Sequence, residues 1–235
     1  MDQFPLLNAK ITKVIQETPS IKIFTLEHDK ADYKFKSGQW IDLHLDPELI
    51  GHAKNIGGYT IISTPKQPNK IELAVRESNH HPVTQFLHSP QALNTTVQIT
   101  EGQGKFYLNP AHKSLCPVFI AGGIGVTPIL SMTREMAFEN DNFKLFYSAS
   151  FFKDFVLKKE LKKNSIFTVT KEKATDEVMQ NGRIDFAFLE KFLDSQKINT
   201  SPFYICGPRE MIDSVKSDLL KLGVRSNFIF HEKWW

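Results

Sequence analysis

Ala121-Gly122-Gly123-Ile124-Gly125-Val126-Thr127-Pro128 is the stretch on which the fold turns. It follows the apolar run Pro117 to Ala121, which reads as a strand, and it opens a helical pattern over Thr127 to Phe138. Glycines between a strand and a helix let a phosphate approach the backbone, and the helix start favours its negative charge. Thr127 is placed to cap the helix, with Pro128 in its first turn. The spacing departs from the G-x-G-x-x-G fingerprint. A plain strand-to-helix turn is the alternative, although it needs no such density of glycine.

Downstream of this loop, strands and helices alternate. Lys144 to Ala149, Ile166 to Thr170, Phe203 to Cys206 and Asn227 to Phe230 read as strands. Asp154 to Lys163, Ile184 to Leu193 and Pro208 to Leu222 read as helices, the first with Phe155, Leu157 and Leu161 near one side. Such alternation implies parallel strands covered by helices, a nucleotide-binding α/β domain. In that architecture ligands lie outside the carboxyl ends of the strands. The turn in Tyr204-Ile205-Cys206-Gly207-Pro208 is therefore expected beside the glycine loop. Cys206 there is either in touch with a bound ring or a small buried thiol.

Upstream, the texture is different. Short period-two runs occupy Ile11 to Gln16, Ile21 to Glu27, Trp40 to Leu45, Tyr59 to Ser63, Ile71 to Val75, Val97 to Thr100 and Phe106 to Leu108. Turn signals such as Gln67-Pro68-Asn69 and Gly102-Gln103-Gly104 separate them, which predicts an antiparallel barrel or sandwich. One helix is expected over Pro82 to His88. The boundary falls in Asn109-Pro110-Ala111-His112-Lys113, giving domains 1–112 and 113–235.

The 235 residues carry 29 Lys and Arg against 26 Asp and Glu, a net charge of +3. That excess is too small for a dedicated nucleic-acid binder, and no such partner is expected. Hydrophobic residues make up 41 %, with 19 Phe, enough for a sizeable core and against disorder. Two cysteines, Cys116 and Cys206, cannot ligate an iron–sulfur cluster or build a disulfide framework, so a reducing, cytoplasmic setting is expected. The richest apolar run, Cys116 to Leu130, is broken by three Gly and two Pro, and no membrane span or secretory signal is read. His80-His81 is the only adjacent histidine pair and reads as surface or capping, so no metal site is assigned.

Two other stretches stand out. Gly57-Gly58-Tyr59-Thr60-Ile61-Ile62-Ser63 offers an aromatic plane at Tyr59 and a hydroxyl at Thr60, though Tyr59 reads equally as a half-buried strand aromatic. The end, Glu232-Lys233-Trp234-Trp235, places two indoles where chains normally fray. They either dock on the core or cover a ligand.

Taken in order, Tyr59-Thr60, Gly122-Gly123-x-Gly125-x-Thr127-Pro128, Cys206-Gly207-Pro208 and a terminal aromatic resemble the ferredoxin–NADP reductase superfamily over essentially the whole chain. Glu72-Leu73-Ala74-Val75, Phe146-Tyr147-Ser148-Ala149 and Glu232-Lys233-Trp234-Trp235 look like one of its groups, the oxidoreductase NAD-binding domain-containing protein 1 group. The resemblance implies a two-domain fold, an antiparallel β-barrel that binds flavin followed by a Rossmann-like, parallel-sheet NAD(P)-binding domain. It implies a flavin-dependent NAD(P)H oxidoreductase in which hydride passes from nicotinamide to flavin and electrons leave to a separate acceptor, a protein or a small molecule. It places Tyr59 and Ile61 at the flavin, Thr60 near its N5, and Thr84 at its phosphates or ribityl chain. Gly122, Gly123, Gly125, Thr127 and Pro128 would surround the dinucleotide pyrophosphate. Cys206, Gly207, Pro208 and Glu232 would lie near the nicotinamide, with Trp234 over the other flavin face and Trp235 toward the adenine of FAD.

One departure is specific. The family's flavin motif begins with an arginine that binds phosphate, and here Gly57 stands in its place. FAD is the expected flavin, FMN the alternative, and an arginine restored at position 57 should raise flavin retention. A non-catalytic dinucleotide-binding module with a degenerate flavin site is the rival reading. Ser148-Ala149-Ser150 carries neither an acidic residue for a ribose diol nor an arginine for a 2′-phosphate, while Lys153 and Lys171 are near in sequence. NADH is favoured over NADPH as donor, and the chain is expected to act as a monomer.

Overall fold

A computed structural model describes residues 5–51, 54–67, 69–139, 141–174 and 179–233. The chain packs as two compact units. One runs to Tyr107 and includes Leu130–Glu135; the other comprises Leu108–Ile129 and the residues from Met136 onward.

The first unit is an antiparallel sheet built from β1 (Leu7–Thr18), β2 (Ile21–Glu27), β3 (Trp40–His44), β4 (Ile56–Thr60), β5 (Lys70–Arg76) and β6 (Thr96–Ile99). A single turn, α1 (Pro47–Ile50), precedes β4, and α2 (Pro82–His88) follows β5. The strand order is β4-β3-β6-β1-β2-β5. A bridge between Ile61 and Leu73 and the bond from Ile62 N–H to the Glu72 carbonyl (2.8 Å) join the two edge strands, so the sheet closes on itself as a barrel. Alternating side chains fill it, among them Ile11, Phe24, Ile41, Leu43 and Leu73, all with no exposed surface. Pro82 starts α2, which presses Val83, Phe86 and Leu87 against this core at helical spacing.

Ser131 and Arg134 also belong to this unit. The Ser131 hydroxyl donates to the Ser63 carbonyl (2.6 Å), and Arg134 donates to the Ile62 carbonyl (2.8 Å) and to Glu72 (2.9 Å). The stretch Ile61–Ser63 just beyond β4 is thereby pinned from two sides.

The second unit holds β7 (Val118–Gly122), the two ends of α3 (Val126–Glu139, whose Leu130–Glu135 belong to the first unit), β8 (Lys144–Ala149), α4 (Lys158–Leu161), β9 (Ser165–Val169), β10 (Met179–Asn181), α5 (Phe186–Phe192), β11 (Phe203–Gly207), α6 (Arg209–Lys221) and β12 (Ile229–Lys233). All the pairings are parallel, in the order β10-β9-β8-β7-β11-β12. Every residue of β7 and β11 is buried, as expected of central strands covered on both faces. The chain moves outward from β7 through β10 and then returns to β11 on the other side. The topological switch point therefore lies between β7 and β11, where doubly wound sheets bind ligands.

The expected two-domain architecture is present, with two local corrections. Phe106 to Leu108 forms no strand; Phe106 and Leu108 are buried without joining the ladder. The helix expected over Asp154 to Lys163 shrinks to the one turn of α4, preceded by a 3-10 turn at Phe152–Asp154. Phe155 and Val156 are drawn into the core instead. Phe155 packs edge-on against Tyr147 and Phe167, and the Val156 N–H donates to the Tyr147 hydroxyl (3.2 Å). Leu157 then takes a left-handed conformation (φ 50°), which no continuous helix permits. Burial of two apolar side chains here outweighs helical propensity. Among the described residues no helix is long and apolar enough to cross a membrane.

Candidate functional site

At the switch point the two strand-to-helix turns touch backbone to backbone. Gly123 sits at φ 54°, a conformation that suits glycine, and starts a 3-10 turn over Gly123–Gly125 that runs straight into α3. A Cβ on Gly125 would lie 2.5 Å from the Cys206 carbonyl oxygen and 2.6 Å from the Gly207 Cα. One on Gly122 would lie 2.6 Å from Met211 Sδ and 2.9 Å from Pro208 Cδ, and one on Gly207 would lie 2.8 Å from Met211 Cε. The glycine density thus has a cause that the sequence does not display: the turns after β7 and β11 interlock, and Met211 of α6 caps them. Sequence reasoning misses Met211. Its signal is the position three residues after Pro208, facing back over the turn.

Thr127 is 5 % exposed and does not cap α3, because the helix is entered through the 3-10 turn. Its hydroxyl donates back to the Ile124 carbonyl (3.0 Å), which braces the loop from inside. Pro128 follows as the third residue of α3, within its first turn.

Cys206 has no exposed surface. It is the register partner of Ala121 on one side and Glu232 on the other, so the structure brings Cys206 and Glu232 together at adjacent strands. Beyond them Lys233 pairs with Asp213 (2.7 Å), and that bond holds the Asp213 carboxyl below its usual range. Trp234 and Trp235 lie outside the described residues.

In the first unit, β4 and α2 bring Tyr59 and Thr84 together. The Tyr59 hydroxyl and the Thr84 hydroxyl are 2.9 Å apart, with the two residues 9 % and 6 % exposed. Burial pushes the Tyr59 phenol up to about 12, with the Thr84 bond acting the other way. Thr60 is 6 % exposed and Ile61 fully buried. Residues two apart on a strand share a face, and here the Tyr59 ring folds back over Gly57. A Cβ at position 57 would lie 2.6 Å from the Tyr59 hydroxyl oxygen and 2.7 Å from Cε2. The ring occupies the room in which an arginine at 57 would begin. His81, at the N-terminal boundary of α2, makes no side-chain capping bond, and its Nδ1 is buried without a partner. His80 is exposed.

Among the described residues three imidazoles are held below their ordinary value of 6.5, each chiefly by burial: His88, His112 and His231. Lys216 and Lys233 add repulsion at His231, and His112 lies 2.7 Å from the Tyr204 hydroxyl. Between the folded and unfolded values the unfolded chain binds more protons, so acid favours unfolding. Stability from these groups is complete above about pH 6.5 and is lost as pH falls below it. The melting temperature should therefore drop between pH 7 and pH 5.5, and His112→Phe should make that drop shallower in a thermal-melt series. An unchanged slope would show that His112 titrates alike folded and unfolded.

Residues 8–107 match the oxidoreductase FAD-binding domain model, and residues 119–217 match the oxidoreductase NAD-binding domain model. The chain is similar to oxidoreductase NAD-binding domain-containing protein 1 of Pongo abelii, 32 % identical, with 97 % of this chain and 79 % of that protein covered. Among solved structures it is similar to the flavohem-like FAD/NAD binding domain of nitric oxide dioxygenase from Vibrio cholerae, with a TM-score of 0.80 and 20 % identity over 97 % of this chain and 98 % of that one. It is similar also to a ferredoxin NADP+ reductase from Neisseria gonorrhoeae with bound FAD and NADP, with a TM-score of 0.77 and 20 % identity over 99 % and 100 % of the two chains.

Proposed function

Because this chain belongs to the ferredoxin–NADP reductase-like family, with an FAD-binding and an NAD-binding domain, we propose that it is an NAD(P)H-dependent flavoprotein oxidoreductase that passes electrons to a separate acceptor. The observation that carries this reading is the interlocked pair of turns at the β7–β11 switch point, where Gly122, Gly125 and Gly207 bring two strand ends and two helix starts to one place. Gly122, Gly123 and Gly125, with Thr127 and Pro128, would take the pyrophosphate, and Cys206, Gly207, Pro208 and Glu232 would bound the nicotinamide end.

Two observations bear on whether the β4–α2 cluster fits a flavin. The buried Nδ1 of His81 has no partner at the start of the helix that carries Thr84, so a polar group there would be satisfied by a ligand. Position 57 offers no cation and no room for one. The cluster thus fits a flavin through an aromatic ring, hydroxyls and an imidazole, without a side-chain charge at 57 for its phosphates. Tyr59, Thr60, Ile61 and Thr84 would hold it, with FAD first and FMN second. A bound flavin supplies a two-electron acceptor for nicotinamide hydride and an electron donor to the separate acceptor.

The protein's own part is orientation and exclusion of water. Thr60, Thr84 and Thr127 are each 5–6 % exposed, so their hydroxyls are largely shielded from water. No proton need be moved by a side chain for hydride transfer itself. Glu232, in register with Cys206 on the adjacent strand, would orient a carboxamide rather than act as a base.

The covered Gly57 favours a second reading, a dinucleotide-binding module without redox chemistry. A visible spectrum of the purified protein with added FAD or FMN, followed by anaerobic NADH and then NADPH, separates them. Flavin uptake with bleaching is expected. Nucleotide binding without flavin uptake would establish the second reading.

A further inference from the structure

The end of β8 carries no acidic residue, yet the fold brings one there from the neighbouring strand. The ladder between β8 and β9 continues past its last pair, Ala149 with Val169. Thr170 N–H donates to the Ala149 carbonyl (3.1 Å) and Lys171 N–H to the Ser150 carbonyl (3.0 Å). This extension carries Glu172 alongside the loop that leaves β8, where its Oε1 accepts the Phe152 N–H. A carboxylate is therefore fixed at the carboxyl end of the strand next to the glycine-loop strand. In a doubly wound sheet that is where the ribose of an adenosine meets the protein.

We propose that Glu172 recognises the ribose diol of the adenosine half and makes the chain select NADH over NADPH; this rests on the dinucleotide site assigned above to the β7–β11 switch point. One carboxylate oxygen is held by the Phe152 N–H, which leaves the other to accept from a ribose hydroxyl. A 2′-phosphate removes that donor and places two negative charges against a third. The loop also carries a cation, Lys153, which lies 5.8 Å from the centre of the Phe151 ring, and a second, Lys158, lies 4.0 Å from the centre of the Phe152 ring. Both are engaged with exposed aromatic faces, whereas Glu172 is bonded to the loop backbone itself. The charge with the fixed position decides.

Dissociation constants for ADP-ribose and for its 2′-phosphorylated analogue, measured by calorimetry on the full chain, test this without any turnover. Wild type should bind ADP-ribose more tightly. Glu172→Gln should narrow the ratio by about three- to fivefold, the size of an exposed charge interaction, and Glu172→Lys should reverse it. Glu172 is exposed, so both variants should fold, which circular dichroism checks. Binding of both ligands with a ratio that Glu172→Gln and Glu172→Lys leave unchanged would overturn the role of Glu172 alone. A wild-type preference for the 2′-phosphorylated ligand would also overturn it. Failure of wild type to bind either ligand would overturn the switch-point assignment together with it.

Discussion

Gly125→Ala should lose about 3 kcal/mol of stability, a drop in melting temperature of roughly 10 °C for a unit of this size, and should no longer bind a dinucleotide. The single added carbon would stand 2.5 Å from the Cys206 oxygen, 2.6 Å from its carbonyl carbon and 2.6 Å from the Gly207 Cα. Each of these atoms is backbone, so no side chain can rotate away. Relief must come from parting the two turns, and that moves both strand ends at the proposed site. Overpacking in a core that can shift side chains costs about 1–3 kcal/mol, so a contact with nothing but main chain belongs at the top of that range. Gly58→Ala is the matched control, since its Cβ meets only the Trp40 ring at 3.6 Å, an ordinary contact. It should melt within about 1 °C of wild type. If Gly125→Ala melts with Gly58→Ala, the two turns are not in contact as described.

The reason that this glycine is legible in the sequence and its role is not lies in distance along the chain. A sequence shows three glycines between a strand and a helix, which is a local pattern. It does not show that the partner of Gly125 is Cys206. Elements whose cause is local can be read to the residue: Ile21–Glu27, Pro82–His88 and Lys144–Ala149. Elements decided by a distant partner cannot. Phe155 and Val156 leave the helical pattern because Tyr147 and Phe167 receive them, and the short β10 exists because β9 offers an edge. The same division runs through the sites. Resemblance puts Tyr59 and Thr84 in one cluster, but it does not give their mutual bond. The lack of a carboxylate at the end of β8 is plain along the chain, and Glu172 arrives there only through cross-strand pairing.

Gly57 is where that division changes an expected outcome. From sequence alone an arginine at 57 restores a phosphate contact and should strengthen flavin binding. With the Tyr59 ring laid over Gly57, Gly57→Arg is expected to destabilise the first unit by about 3 kcal/mol and to bind FAD no better than wild type. Even the Cβ of the new residue needs the Tyr59 ring to swing out. That movement breaks the 2.9 Å bond to Thr84, worth about 1 kcal/mol, and exposes a ring now 9 % exposed, worth about 2 kcal/mol more. Against this stands a charge-assisted bond to a flavin phosphate, about 1.5–3 kcal/mol, gained only when the ligand is bound. The swing also withdraws the aromatic plane proposed to hold the flavin ring, so the gain at one end is offset at the other. Tyr59→Phe isolates the hydroxyl: the ring stays over Gly57, the Thr84 bond is lost, and stability should fall by about 1 kcal/mol with FAD affinity nearly unchanged. Thermal melts and an FAD titration followed by flavin fluorescence read both variants. If Gly57→Arg instead tightens FAD binding severalfold, Tyr59 yields its place readily, and position 57 is a phosphate site that has lost its arginine. If it behaves as expected, Gly57 and Tyr59 form a packed pair, and the proposed flavin site is built around a ring and hydroxyls without a side-chain charge at 57.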